Sequence, residues 1–184
     1  TLELEFPKFI LAEFSKHRNI SFNTSSSRAI PVEKMLETIQ EHPIQFKWTK
    51  KGPGMSGESL EEDSLVYKKA NEISGEIQDF LIEKVRELAA LGIHKQHANR
   101  FLETFQTVKV IATANYYRWM DFLWLRLDDA VQPEMYDLAK EIQEAINNST
   151  PVKRSNREWH IPYVDGVEEY KDLPLLDKLK ISAS

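Results

Sequence analysis

The sequence predicts an α/β (α+β) fold in which long helices flank a mostly antiparallel sheet, and three observations carry the helix and strand reading. Leu2-Glu3-Leu4-Glu5-Phe6 alternates apolar and charged residues with the period of a half-buried strand. Val108 to Ala114, Val-Lys-Val-Ile-Ala-Thr-Ala, reads as a second strand. Two longer stretches, Ile73 to Leu88 and Met135 to Ile146, repeat their apolar residues at helical spacing. The 184 residues suit one domain, 1–184, with enough length for a real hydrophobic core.

Taken in order, Pro7 is suited to start a helix, and Phe9, Ile10 and Phe14 give the segment to about Ser15 an apolar face. Lys16 to Arg28 contains almost nothing that would fill a core. Pro31 opens a short helix carrying Val32, Met35, Leu36 and Ile39, Pro43 ends it, and Ile44 to Trp48 reads as a short strand. Lys50 to Gly57 holds half of the glycines of the chain and reads as a mobile surface loop. A phosphate-gripping role there is disfavoured because the Gly-Lys-Ser/Thr ending of a nucleotide P-loop is missing.

Ser59-Leu60-Glu61-Glu62 has the form of a capping box before a long helix. That helix carries Ile73, Ile77, Phe80, Leu81, Val85 and Leu88 as a core stripe and has Gly92 as its C-terminal cap. A further helix is expected from His94 to Phe105, burying Ala98, Phe101 and Leu102. Asn115 to Leu127 is dense in aromatics and apolar around its circumference, as in a helix buried on several sides or packed at a subunit interface. A stacking platform for a planar ligand is the sharper alternative. Pro133 starts the last long helix. Trp159 to Tyr163 reads as an ordered crossing segment, and an irregular tail is expected from about residue 165.

Composition excludes several functions. The net charge of -5 argues against broad nucleic-acid binding, which needs a basic surface, although a local cationic pocket remains open. With no cysteine there is no disulfide, thiolate catalysis or cysteine-ligated zinc. No apolar run is long enough to span a bilayer and no signal-peptide pattern is present, so a cytoplasmic protein is the default. Because the chain opens directly on a strand, sequence preceding it is expected to be missing.

Candidate chemistry concentrates in Lys16-His17-Arg18-Asn19-Ile20-Ser21-Phe22-Asn23-Thr24-Ser25-Ser26-Ser27-Arg28. Guanidinium groups suit bidentate recognition of phosphate or carboxylate, and small hydroxyl residues let backbone N–H groups approach an anion. A solvated polar loop fits the same composition. Arg100 and Arg126 lie among apolar helical residues, each either paired with a carboxylate such as Glu103 or Asp129 or facing a ligand. His94 and His97 could share a helix face, but no third metal ligand accompanies them.

The order of these residues resembles the signature of the flavin-dependent thymidylate synthases, an Arg-His-Arg triplet followed seven residues later by serine. Here Lys16-His17-Arg18 leads through Asn19 to Ser25 onto Ser26. Three more segments resemble one branch of that family: His94-Lys95-Gln96 with Ala98-Asn99-Arg100-Phe101-Leu102-Glu103; Phe122-Leu123-Trp124-Leu125-Arg126 with Gln132-Pro133-Glu134; and Glu158-Trp159-His160-Ile161-Pro162-Tyr163-Val164.

The resemblance implies a mostly antiparallel sheet flanked by long helices, and a homotetramer with shared active sites. It implies methylation of dUMP to dTMP, with methylenetetrahydrofolate as the carbon source and FAD, recharged by NADPH, as the hydride carrier. Carried over by position, His17, Arg18, Asn19, Asn23, Asn115 and Asp121 would hold the flavin. Glu13, Lys16 and Thr24, with Ser25, Ser26, Ser27 and Arg28, would hold dUMP, and Arg100 would join its phosphate site. Arg126 would lie against the uracil as the catalytic group, where a fixed cation favours ionisation at N3. No membrane or nucleic-acid partner is implied.

Departures from the family pattern are Lys16 for arginine, Thr24 for glutamate, Tyr117 for arginine, Asp121 for asparagine and Ala130 for histidine. They leave open a related one-carbon transfer, such as hydroxymethylation of a pyrimidine nucleotide, or a non-catalytic assembly subunit.

Overall fold

A computed structural model describes residues 1–52, 57–155 and 158–183. Three strands, β1 (Leu2–Pro7), β2 (Ser21–Thr24) and β3 (Thr107–Thr113), form one antiparallel sheet in the order β1-β3-β2. The register pairs Leu4 with Val110 and Phe22 with Ala112. Side chains two apart share a face of a strand, so this register stacks Leu4, Phe6, Val108, Val110 and Ala112 on the buried face. Glu3, Glu5, Lys109 and Ile111 take the other, exposed face.

The helices are α1 (Leu11–Phe14), α2 (Val32–Glu41), α3 (Leu65–Ala90), α4 (Lys95–Ala98), α5 (Tyr116–Arg126), α6 (Pro133–Asn147) and α7 (Leu175–Ala183). The apolar face of the sheet is closed by Trp119, Phe122 and Leu123 of α5 and Met135, Leu138, Ala139 and Ile142 of α6. A second core joins Met35, Leu36 and Ile39 of α2 to Ile82 and Val85 of α3, with Ala98, Leu102 and Phe105 beneath. Both cores bury apolar side chains at the period their elements demand.

Several expectations are corrected. The cap of α3 is Ser64, whose hydroxyl accepts from Tyr67 N–H at 3.2 Å, and not the Ser59 box. Ser59 is instead bridged to Thr49, and Ile44 to Trp48 form no strand. The α3 stripe is not a continuous core: Ile73, Ile77 and Phe80 are exposed, Phe80 by 58%, and only Ile82 and Val85 are fully buried. The segment from His94 divides into α4 and a 3-10 stretch, Asn99–Phe105, from which Phe101 projects outward. The tail is not irregular throughout, because it ends in α7. Gly92 does terminate α3, at φ +78°, a conformation only glycine takes without strain. Half of the loop expected at Lys50–Gly57, residues 53–56, lies outside the described residues.

The crossing segment is ordered by one carboxylate. Asp165 accepts from Arg154 at 2.9 Å, from Ile161 N–H at 2.6 Å and lies 3.0 Å from His160 Nδ1. Ile161 and Val164 are buried. Among the described residues no helix is long and apolar enough to cross a membrane.

Candidate functional site

The polar stretch splits around β2 into two clusters. The first is built where the chain turns after α1. Backbone bonds from Lys16 to Glu13 (3.2 Å) and from His17 to Phe14 (3.1 Å) close that turn and bring Glu13 and His17 to one side. The last turn of α5 delivers Arg126 to them. Its Nε donates to His17 Nε2 at 2.8 Å, and its Nη1 pairs with the Glu13 carboxylate. Arg126 is therefore paired, with Glu13 and not with Asp129.

This geometry fixes the chemistry of His17. A guanidinium only donates, so Nε2 must be the unprotonated acceptor and the proton of the neutral ring sits on Nδ1. Burial lowers the His17 pKa below its ordinary value, and the Arg126 charge lowers it further, outweighing the opposing pull of Glu13. Its ring packs edge-on against Phe122 at 4.7 Å. His17 is thus held neutral as a hydrogen-bond acceptor.

Beside it opens a cavity of about 270 Å³ lined by Lys16, His17, Arg18, Asn19, Arg118, Asp121, Phe122 and Leu125. Asp121 pairs with Arg118 at 3.0 Å, which leaves the cations in excess in a chain that is acidic overall. Asn115 lies a turn before Arg118, where its side chain caps α5 by accepting from Arg118 N–H at 3.0 Å. The mixture of cations with the apolar edges of Phe122 and Leu125 fits the phosphates and ring of a dinucleotide. The volume accommodates part of such a molecule.

The second cluster follows β2. Asn23, on the exposed face of the strand, accepts from Thr24 N–H at 2.9 Å. Ser25 N–H donates to Lys109 O at 3.0 Å, and the chain then turns through Ser26 into a 3-10 turn at Ser27–Ala29. This turn is held from behind. Lys8 Nζ donates to Ser27 Oγ at 2.6 Å, and the buried amide of Asn99 donates to Ser27 O at 2.9 Å and to Ile30 O at 3.0 Å. Lys95 Nζ reaches Ala29 O at 2.6 Å. Ser26 and Arg28 stay exposed on the outer side, and Arg100, 3.9 Å from Glu103, emerges from the adjoining 3-10 segment.

Arg28 and Arg100 therefore belong to one cluster and Arg126 to the other, with the four residues of β2, roughly 13 Å of strand, between them. Among the described residues no hydrogen bond or ion pair joins Arg28 or Arg100 to Arg126. Sequence reasoning missed Lys8 and Asn99 as supports of the turn. The signal for Lys8 was a cation set between apolar Phe6 and Phe9 immediately after a strand; for Asn99 no local pattern marks a contact made 72 residues away. His94 serves as the cap of α4, accepting from Gln96 N–H at 3.2 Å. Among the described residues no group of histidines and carboxylates could hold a metal ion.

A family model described as thymidylate synthase complementing protein matches residues 1–152, which takes in β1 through α6 and both clusters. No curated protein matches the chain significantly.

Proposed function

The chain belongs to the thymidylate synthase complementing protein family, the flavin-dependent thymidylate synthases, and from that membership we propose that it methylates dUMP at C5 to give dTMP. Methylenetetrahydrofolate is the carbon donor and NADPH the reductant. FAD, when bound, supplies the hydride chemistry. The observation that carries the reading is Arg126, fixed by neutral His17 and by Glu13 beside a cavity rich in cations.

The protein contributes position and charge. His17, Arg18, Asn19, Asn23, Asn115 and Asp121 form the flavin wall, Lys16 reaches the nucleotide from the same cavity, and His17 also holds the arginine behind it. Ser25 and Ser26, with the backbone from Thr24 to Ser27, wrap the nucleotide phosphate while Arg28 and Arg100 neutralise it. Arg126, already oriented, stands against the pyrimidine and lowers the pKa of N3, stabilising the charge that grows on the ring as C5 becomes nucleophilic. Glu13 keeps the guanidinium in that orientation before the nucleotide arrives and is part of the nucleotide site.

Because the two clusters stand at opposite ends of β2, a complete site takes its walls from more than one chain, in a homotetramer. The exposed apolar surface supports this: Ile73, Ile77 and Phe80 along α3, with Tyr117 and Trp124 on α5, lack cover in the single chain.

Purified protein tests the reading. A yellow preparation with flavin absorbance near roughly 450 nm, converting dUMP to a product of the mass of dTMP, is expected. Protein that neither takes up FAD nor binds dUMP would overturn it, and a product carrying a hydroxymethyl group would change the reaction assigned.

A further inference from the structure

We infer that Lys8 is a positioning residue for the nucleotide-binding turn, acting through Ser27, and that Glu103 ties it to Arg100 in one charge network. The inference rests on the reading of the Ser25–Arg28 turn as the phosphate grip. Lys8 follows β1 directly, and its backbone N–H continues the sheet by donating to Gln106 O at 2.8 Å. Its side chain is only 14% exposed, so the ammonium is committed to protein partners. Those partners are the Ser27 hydroxyl at 2.6 Å and Glu103 Oε1 at 2.8 Å. The same Glu103 oxygen lies 3.9 Å from Arg100 Nη1.

Ser27 is the one residue of this turn that is buried, while its neighbours Ser26 and Arg28 face outward. A hydrogen bond from a charged, sequestered donor is stronger than a neutral one, and it fixes Ser27 at its side chain while Asn99 fixes it at the carbonyl. Two attachments at different atoms set both the height and the rotation of the turn, and with them the direction of Ser26 and Arg28. The shared Glu103 carboxylate places Arg100 on the same support. A cation behind the turn also adds favourable potential where an anion is bound, without touching it.

The test uses the FAD-loaded protein and the calorimetric affinity for dUMP. Lys8→Met keeps the length of the side chain and removes its donor. It is expected to weaken dUMP binding about tenfold while flavin absorbance is retained, and to raise KM while leaving kcat within about twofold. Ser27→Ala should give a similar loss, and the double variant no more than either single one, because both remove the same bond. Additive losses, or unchanged dUMP affinity in Ser27→Ala, would overturn the inference. Should Lys8→Met fail to fold, Ser27→Ala decides alone. Failure of the unaltered FAD-loaded protein to bind dUMP would instead remove the functional reading, and this inference with it.

Discussion

Arg126 donates from Nε to Nε2 of His17 across 2.8 Å, although the two residues lie 109 positions apart. The bond survives only while His17 is neutral, because a protonated imidazole offers no acceptor. The folded pKa of His17 lies below its unperturbed 6.5, chiefly through burial and then through Arg126. As pH falls below that value, the unfolded chain takes up a proton that the folded chain resists, so the stability contributed by this group is complete above 6.5 and declines as pH drops through the lowered value.

Denaturant midpoints measured from pH 7.5 to about 5 should fall more steeply for the unaltered protein than for His17→Gln, which has no such titration. Equal slopes in the two proteins would show that His17 does not titrate as its surroundings dictate.

Arg126→Ala separates catalysis from structure. Removing a preorganised cation beside the developing charge should lower turnover by about a hundredfold or more. Stability should fall by only about 1–2 kcal/mol, because Glu13 remains partly solvated at 25% exposure and does not become a buried orphan. Activity and stability lost in parallel would reduce Arg126 to a structural ion-pair partner.

The ends of α3 offer a local check. Ser64→Ala removes the hydroxyl that caps Tyr67 N–H and should cost about 1 kcal/mol in chemical denaturation. Ser59→Ala should cost little, since Ser59 meets Thr49 through its backbone bridge. A larger loss at Ser59 would return the cap to the earlier serine.

Ser59 and Ser64 show what was legible in the sequence and why. The rule of a serine ahead of a helix holds at both, and only the solvent-exposed turn between them selects the second, which no local pattern records. The β1 and β3 strands were readable because one face of each is buried and the alternation is clean. β2 was absorbed into a polar loop: in Ser21-Phe22-Asn23-Thr24 only Phe22 signals a core-facing side. The α3 stripe was read correctly as apolar, but periodicity says that a face is covered without saying by what. In the candidate site, the pairing of Arg126 was readable as a need for a carboxylate. That the carboxylate is Glu13 depends on α1 meeting the end of α5, a tertiary fact.

That stripe makes its own prediction. Val66, Ala70, Ile73, Ile77 and Phe80 are spaced four and three residues apart, as in a seam that packs another helix. Phe80→Glu should lower the oligomer mass seen by light scattering while leaving helical circular dichroism intact. An unchanged mass would place the subunit contacts elsewhere.

The most direct measurement mixes two inactive proteins. One carries Arg28→Ala and the other Arg126→Ala, and the pair is co-expressed and isolated as a mixed oligomer through different tags. If each site draws Arg28 from one chain and Arg126 from another, about a quarter of the sites in a random mixture regain both and turnover returns in proportion. A verified mixed oligomer that stays as inactive as its parents would show that the two arginines never meet at one nucleotide.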